Sequence, residues 1–414
     1  MRVERLALKD FRGITDLSLE FEGSVTVLAG INGAGKSSIL HALATMLWRV
    51  GGSIHEGPRE RQPLQASDVR NGAKAAELMI ETNGPLGKVD WGLRVERTLS
   101  SVTRRPQAER LRSVAEHLRE QLEEEPTTPV PFAVFYRTNR AVLDIPLRIR
   151  KKHKFDQFTA FDEALDGGWS SFRLFFEWFR EREDVENQER ARSRKFVDHQ
   201  LQAVREAVAA LMPGFSDLRV QRVPLRMTIA KDGTELDLGQ LSDGEKCLLA
   251  MVADIARRLA LANPVNKEPR KAAAIVLIDE IELHMHPQWQ RQVIPGLQAT
   301  FPNCQFIVST HSPQVLSSVR PEGVYLLERK DGVLVAVRPS SSFGRHSNQI
   351  LLELMRTPDR PEEIRARLNE MFSLIDKGDV EGARKIRSEL EQDIGVDEPE
   401  FVRADILLRL RKAK

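Results

Sequence analysis

The feature that most constrains this chain is the stretch GINGAGKSS at residues 30–38. It fits the pattern GxxxxGK[ST], and it lies between a β-rich run at 24–29 and a helix-compatible run at 39–50. The pattern alone would also suit an ordinary glycine-rich turn. The strand before it and the helix after it favour a phosphate-binding loop, in which backbone N–H groups and the helix N-terminus attract an anion. The sequence therefore predicts a nucleotide site on an α/β scaffold.

The side chains of this loop suit ATP and Mg²⁺. Lys36 is placed to reach the β- and γ-phosphates, and the Ser37 hydroxyl is placed to ligate Mg²⁺. Gly30, Gly33 and Gly35 let the backbone turn tightly around the phosphates. We expect the loop to bind the nucleotide through Asn32, Gly33, Gly35, Lys36, Ser37 and Ser38.

The composition is that of an ordinary soluble protein. The 414 residues suggest two or three domains, and the 41% of hydrophobic residues can bury a large core. The net charge of +2 gives no global argument for nucleic acid. The basic run at residues 148–154 could contact DNA or RNA, and it could equally be a solvated surface segment.

The cysteines and the hydropathy pattern predict a cytoplasmic location. The two cysteines, Cys247 and Cys304, each lie in an apolar stretch, which excludes a disulfide framework and fits a reducing compartment. The N-terminus lacks the apolar core of a signal peptide, and no run approaches the roughly 20 apolar residues of a membrane span. We therefore expect no membrane partner.

Between the N-terminus and residue 235, the pattern of apolar residues predicts an antiparallel β elaboration and then a helical insertion. Apolar residues alternate with polar ones from Leu6 to Phe21, which predicts a hairpin of two strands with its turn at Arg12-Gly13. Seven of the 18 phenylalanines lie in residues 155–179, where their helical spacing favours a core over a base-stacking platform. From Val197 to Leu211 the apolar residues follow one helical stripe. The expected parts of the chain are 1–149, 150–235, 236–340 and 341–414.

Residues 241–246, LSDGEK, open a predicted helix, with Ser242 or Asp243 as its N-cap. A serine and a glycine at a helix start can direct a hydroxyl and N–H groups at an anion. The same residues could also serve as a simple helix cap.

Two buried strands deliver further polar groups. The apolar run 273–278 ends at Asp279-Glu280, and the run 305–310 ends at His311. Asp279 suits the Mg²⁺ shell, and Glu280 suits a base that polarises water. Together with the phosphate-binding loop, these strand ends predict a hydrolytic site.

The ordered motifs GINGAGKSS, LSDGEK, IVLIDE and STHSP resemble those of the ATP-binding-cassette class of ATPases. The opening DFRG, which contains Arg12, resembles the branch that includes RecF and the structural-maintenance-of-chromosomes proteins. The resemblance implies an ATPase head with a mixed sheet and an antiparallel β subdomain. It also implies a head-to-tail dimer in which Ser242 and Gly244 contact the γ-phosphate held by the other subunit. Glu280 would be the catalytic base, His311 the γ-phosphate sensor and Arg12 a nucleotide contact.

Two features depart from that class. The glutamine that usually follows the third strand has no clear counterpart, and Gln62, Gln65 and the segment 137–140 remain alternatives. His284 and His286 could suggest a metal site, but two nearby histidines on a loop are a weak signal. We favour a subunit-contacting loop at that position.

Residues 136–146 and 343–348 resemble ATPases linked with phage defence, including the ATPase subunits of Septu-type and related retron systems. The resemblance implies a partner nuclease of the HNH type encoded nearby. No nuclease signature follows His311 in this chain. A DNA-repair ATPase of the RecF type and, less favoured, the energising subunit of a transporter remain alternatives.

The tail, 341–414, carries three predicted amphipathic helices. Their apolar faces begin at Ile364, Val380 and Phe401, the last including Val402, Ile406 and Leu410. Three short helices cover one another only partly, which leaves apolar surface for a neighbour. We expect a module that docks a nuclease or a second ATPase dimer. Bracing of the head by these helices is the alternative.

Overall fold

The computed structural model describes residues 1–54, 64–84, 87–97, 102–104, 108–125, 127–138, 155–166 and 172–412. These residues divide into two units, Met1–Ser347 and Asn348–Lys414. The strands are β1 (Arg2–Phe11), β2 (Ile14–Glu20), β3 (Val25–Ala29), β4 (Ala75–Gly84), β5 (Gly87–Glu96), β6 (Val102–Arg104), β7 (Phe132–Tyr136), β8 (Phe215–Arg222), β9 (Leu225–Lys231), β10 (Thr234–Asp237), β11 (Ala274–Ile278), β12 (Gln305–Thr310), β13 (Val324–Lys330) and β14 (Val333–Val337). The α-helices are α1 (Lys36–Ile54), α2 (Ala108–Glu124), α3 (Phe172–Arg192), α4 (His199–Leu211), α5 (Asp243–Ala262), α6 (Pro287–Thr300), α7 (Pro313–Leu316), α8 (Ser347–Gln349), α9 (Glu362–Lys377), α10 (Val380–Ile394) and α11 (Pro399–Lys412).

A six-stranded sheet in the order β14-β13-β3-β12-β11-β7 forms the centre of the first unit. Its strands are parallel except for β14, which pairs antiparallel with β13. β3, β7, β11 and β12 are buried along their whole length, as their continuous apolar sequences predict. Ala29 lies beside Thr310, and Ile278 lies beside Val308. The residues that follow β3, β11 and β12 therefore share one edge of the sheet.

A five-stranded antiparallel sheet, β2-β1-β4-β5-β6, packs against α1 and α2. Alternate residues of β1 and β4 enter the core, and Leu8 lies beside Leu17 on one side and Leu78 on the other. The Trp91 indole donates a hydrogen bond to the Met46 carbonyl of α1 at 3.1 Å. The predicted mixed sheet with an antiparallel β subdomain is thus confirmed.

The region expected as a helical insertion contains α3 and α4, and it also contains most of a three-stranded antiparallel sheet, β10-β9-β8. In α3 the aromatic side chains are buried, which confirms the core interpretation for that helix. Two details of the expected helices are wrong. Residues 157–161 form a short 3₁₀ turn because Asp156 caps the Thr159 N–H. Val197 precedes α4, because Asp198 accepts from the Leu201 N–H and so caps the helix at His199.

The second unit begins at Asn348 rather than at residue 341. After a π-helical turn at Ile350–Leu354, α9, α10 and α11 surround a small core, which confirms the three predicted helices. The predicted inner face of α11 is wrong in part, because its buried residues are Phe401, Ala404 and Leu408. Val402, Ile406 and Leu410 lie on the opposite side and are 54% to 62% exposed. No helix in the described part of the chain combines the length and apolar character needed to cross a membrane.

Candidate nucleotide site

The phosphate-binding loop connects β3 to α1 at the edge where the central strands end. Gly33 and Gly35 have φ values of 76° and 94°, in the left-handed region that glycine adopts without strain. Gly30 packs so closely on β13 that a Cβ there would lie 2.6 Å from the Leu327 carbonyl oxygen. The Ala34 N–H donates to the Ile31 carbonyl at 3.2 Å and closes the turn. The glycines are therefore required by the loop's own geometry.

Lys36, the first residue of α1, is only 5% exposed. Its ammonium group donates to the carbonyl oxygens of Gly30 at 2.9 Å and Ile31 at 3.0 Å. Burial lowers the pKa of Lys36, and the carboxylates of three acidic residues oppose that shift. The first N–H groups of an α-helix have no intrahelical partner, so the start of α1 offers donors beside a buried cation. The acidic residues are Asp279, Glu280 and Glu282.

Ser309, the penultimate residue of β12, orders the acidic pair. Its hydroxyl donates to Asp279 Oδ1 and accepts from the Glu280 N–H at 2.8 Å. Asp279 is 4% exposed, and Glu280 has a φ of 49°, in the left-handed region that is uncommon for residues other than glycine. Sequence reasoning missed Ser309, although its position next to the end of a buried strand was a usable signal. The carboxylates of Asp279 and Glu280 thus lie near enough to Lys36 to act on its charge.

His311 follows β12 and is half-buried. Burial first, and then the charge of Lys36, lowers the pKa of its imidazole, while Glu282 and the acidic pair oppose the shift. The imidazole is therefore neutral at pH 7. The structure brings together Lys36, the acidic pair and His311, in the arrangement that the strand register requires.

Of the two predicted N-caps of α5, the structure has Ser242. Its hydroxyl accepts from the Glu245 N–H at 3.3 Å. Its side chain is exposed, and among the described residues the hydrogen bonds of its hydroxyl stay within the first turn of α5. Gly244 is buried against the loop that follows Glu280, where a Cβ would lie 2.2 Å from the His284 carbonyl oxygen. Both residues thus lie at the start of α5.

Arg12 belongs to a second polar cluster. Its Nε donates to Asp68 Oδ1 at 2.8 Å, and its backbone N–H donates to the Asp68 carbonyl. Burial, together with the charges of Arg12 and Arg137, lowers the pKa of His41 to about 4. These groups line a cavity of about 360 Å³ beside α1. Its lining comprises Arg12, His41, Ala44, Thr45, Trp48, Gln65, Ser67, Asp68, Arg137, Leu165 and Asp166.

The glutamine alternatives and the two nearby histidines are placed by the structure only in part. Gln65 lines the cavity beside Arg12, whereas Gln62 and residues 139–154 lie outside the described residues. His284 lies on the loop after Glu280, and His286 caps α6 by accepting from the Gln288 N–H. Within the described ranges, no group of three or more His, Cys, Asp or Glu side chains is arranged to hold a metal ion.

Comparison with known proteins identifies the family. Residues 25–317 match the AAA_21 family, described as "AAA domain, putative AbiEii toxin, Type IV TA system". The Retron Ec83 probable ATPase of Escherichia coli is 30% identical over 99% of this chain and 87% of its own length. The Retron Vc95 probable ATPase of Vibrio cholerae serotype O1 biovar El Tor is 28% identical over 94% and 86%.

Two more distant similarities cover less or fit less closely. The Septu protein PtuA of Bacillus mycoides (strain KBAB4) is 37% identical over 23% of this chain and 13% of its own length. An SMC head, solved bound to the C-winged helix domain of ScpA, superposes with a TM-score of 0.49 at 18% identity, covering 82% of this chain and 98% of that one. The long family match and the similarity to the Ec83 protein over 99% of this chain show that this chain belongs to the AAA_21 family and is an ATPase.

Proposed function

We propose that this chain is the ATPase of an anti-phage defence complex and that it controls a partner nuclease through its nucleotide state. The observation that carries the proposal is the meeting of three strand ends at one sheet edge. There the glycine loop with Lys36, the Asp279-Glu280 pair and His311 form one electrostatic cluster. A buried cation, two ordered carboxylates and a neutral imidazole suit phosphoryl transfer to water.

Each residue has a proposed role in that reaction. Lys36 and the N–H groups of the loop hold the β- and γ-phosphates, and Asn32, Gly33, Gly35 and Ser38 complete the cradle. Ser37 and Asp279 would hold Mg²⁺, and Asp279 fits because the Ser309 hydroxyl already fixes one of its oxygens. Mg²⁺ supplies positive charge that stabilises the transferred phosphoryl group. Glu280 orients and deprotonates water, and the neutral His311 can donate a hydrogen bond to the γ-phosphate.

The cavity beside α1 supports a role for Arg12 in binding the remainder of ATP. Its volume of about 360 Å³ lies within the range of roughly 300–1,000 Å³ that small-molecule sites occupy. Arg12 and Arg137 supply positive charge, while the low pKa of His41 keeps that imidazole neutral as a hydrogen-bonding group. We propose that Arg12 contacts the nucleotide from this cavity.

The exposed start of α5 supports a site shared between two subunits. In one chain the Ser242 hydroxyl faces solvent, with the helix N-terminus behind it, which is a favourable place for an anion held by another molecule. We propose a head-to-tail homodimer in which Ser242 and Gly244 complete the site formed by Lys36 of the other subunit.

A mixing experiment tests this shared site. Lys36→Ala and Ser242→Arg each damage both sites of their own homodimer. In a mixed dimer, both lesions fall in one site and the other site is intact. ATP hydrolysis that recovers on mixing supports the head-to-tail arrangement. A lack of recovery, with mixed dimers demonstrated by two affinity tags, contradicts it.

The names of the relatives and the second unit support the defence role. Retron and Septu proteins are among the relatives of this chain, and we propose the same context for it. The outer face of α11 presents Val402, Ile406 and Leu410 to solvent, which suits protein docking. We propose that an HNH-type nuclease encoded nearby docks on this module, and that DNA or RNA is its substrate.

A further inference from the structure

The loop from Ile281 to His286, here called the linker loop, is fastened to the residues that end β12. The Ile281 N–H donates to the Ser309 carbonyl at 3.0 Å. At the other end, Gln290 of α6 donates to the Met285 carbonyl at 2.8 Å and accepts from the Ser312 hydroxyl at 2.6 Å. Ile281 and Met285 are buried. The linker loop and the end of β12 therefore form one rigid piece.

Glu282 makes the central connection of that piece. One carboxylate oxygen, Oε1, accepts from the backbone N–H of His311, and the other, Oε2, accepts from the Thr310 hydroxyl at 2.8 Å. Thr310 is fully buried, so its hydroxyl depends on this protein partner. Hydrogen bonds to an ionised acceptor are stronger than neutral ones. Both oxygens of Glu282 thus hold the backbone that presents His311.

The opposite side of the linker loop touches the start of α5. His284 has a φ of 61°, in the left-handed region, and its carbonyl oxygen faces Gly244. A Cβ at Gly244 would lie 2.2 Å from that oxygen and 3.2 Å from the carbonyl carbon. Since both atoms belong to the backbone, a side chain at this position could enter only if the linker loop moved. The start of α5 therefore packs directly on the backbone of the linker loop.

We infer that Glu282 is a positioning residue that links His311 to Ser242 and Gly244 of the same chain through the linker loop. The inference rests on the proposed head-to-tail dimer. In that dimer His311 serves the site of its own Lys36, while Ser242 serves the other site. Glu282 consequently couples the two ATP sites, and ATP binding at one site favours the hydrolytic geometry at the other.

The substitution Glu282→Gln tests this coupling. The side chain keeps its shape, but its single carbonyl oxygen cannot accept from both donors, and its NH₂ group meets another donor. We expect kcat to fall about 10-fold or more with KM for ATP changed by less than about twofold. The Hill coefficient for ATP should fall from above 1 in the wild type towards about 1. Glu322→Gln, on an exposed side chain, is the matched control and should leave all three values unchanged.

A second variant guards against a purely structural effect. Thr310→Val keeps the shape of the side chain and leaves the bond from the His311 N–H to Glu282 in place. It removes the hydroxyl that donates to Glu282 and accepts from the Ser312 N–H at 3.0 Å, so the loss in kcat should be smaller and the Hill coefficient intermediate. Wild-type kcat in both folded variants overturns the positioning role, and a wild-type Hill coefficient of about 1 overturns the coupling. If wild-type protein hydrolyses ATP no faster than Lys36→Ala, the proposed function fails instead.

Discussion

The phosphate-binding edge of the central sheet and the outer face of α11 depart from ordinary protein surfaces in opposite ways. At the sheet edge, charged groups such as Lys36 and Asp279 are almost fully buried and hydrogen-bonded. On α11, large apolar side chains such as Ile406 face solvent. Buried charge and exposed apolar area both cost stability unless a ligand or partner makes use of them. We therefore propose chemistry at the first region and docking at the second.

Lys36→Ala should have the largest effect on the chemical side of this comparison. Removing the buried cation deletes the charge that holds the β- and γ-phosphates, so both nucleotide affinity and hydrolysis should fall by about 100-fold or more. Equilibrium binding of a fluorescent ATP analogue and phosphate release measure the two losses. Arg329→Ala, at an exposed residue of β13, is the control and should bind ATP normally. Wild-type affinity for ATP in the Lys36→Ala protein would show that Lys36 does not bind the phosphates.

Ser309→Ala should have the next largest effect. The hydroxyl fixes both Asp279 Oδ1 and the Glu280 N–H, so its loss leaves two buried polar groups without this partner. We expect kcat to fall about 10-fold while ATP still binds. Ser318→Ala, at a serine whose hydroxyl donates to the Val315 carbonyl within its own turn, provides a comparison. Equal kcat in the two variants would show that Ser309 does not order the acidic pair.

Ile406→Glu should separate docking from chemistry. The residue is 54% exposed, so the charge disturbs the outer face without entering the core of the module. We expect kcat within about twofold of the wild type, because surface changes away from a site cost little. We also expect loss of co-purification with the proposed nuclease partner. Glu389→Gln on the exposed side of α10 is the control. Retained co-purification would place the docking surface elsewhere.

Deletion of the tail also tests whether docking is separate from chemistry, provided that the deletion begins at Asn348, the first residue of the second unit. Residues 340–347 belong to the first unit, where the Ser342 hydroxyl is buried and donates to the Val319 carbonyl at 2.6 Å. Truncation after Ser347 should therefore leave a folded protein that binds ATP and lacks its partner. Truncation after Pro339 removes that buried contact and should lower the melting temperature. An insoluble protein after truncation at Ser347 would support bracing of the head by the helices.

The smallest expected effect concerns pH. The pKa of His311 lies below its usual value of 6.5 because of burial and the charge of Lys36. The neutral imidazole should therefore persist as pH falls through 6.5, and kcat should decline only at more acid pH. In the same way, burial of His311 weakens folding only where the unfolded histidine becomes protonated. A pH profile of kcat for wild type and His311→Gln checks this, and a decline in the wild type centred above pH 6.5 would contradict it.

The difference between the two regions also explains what the sequence could predict. Strand ends and a glycine loop are local patterns, so Lys36, the acidic pair and His311 could be identified from short motifs. Ser309 and Glu282 act through hydrogen bonds to residues 28–30 positions away in the chain, so no local pattern reveals their partners. For Ser309 the usable signal was its position next to the end of a buried strand. Asp68, which holds Arg12 from 56 positions away, was missed for the same reason.

The helical regions show a different source of error. α11 has apolar residues on two opposite sides, so its periodicity does not reveal that Phe401 faces the core and Val402 faces solvent. The limits of α4 and α5 depend on side-chain caps, Asp198 and Ser242. Ser242 was among the predicted caps, whereas Asp198 was not recognised because the apolar stripe extends one residue before it.

The most direct test of the account is Glu280→Gln measured beside Lys36→Ala. Glu280 lies next to the buried Asp279, and replacing its carboxylate with an amide removes the base while leaving the phosphate-binding loop intact. Equilibrium ATP binding and single-turnover hydrolysis should be measured for both variants. The account predicts wild-type ATP affinity with hydrolysis reduced by about 100-fold or more for Glu280→Gln, and weak binding for Lys36→Ala. Wild-type turnover by Glu280→Gln protein would contradict the assignment of this edge as the hydrolytic site.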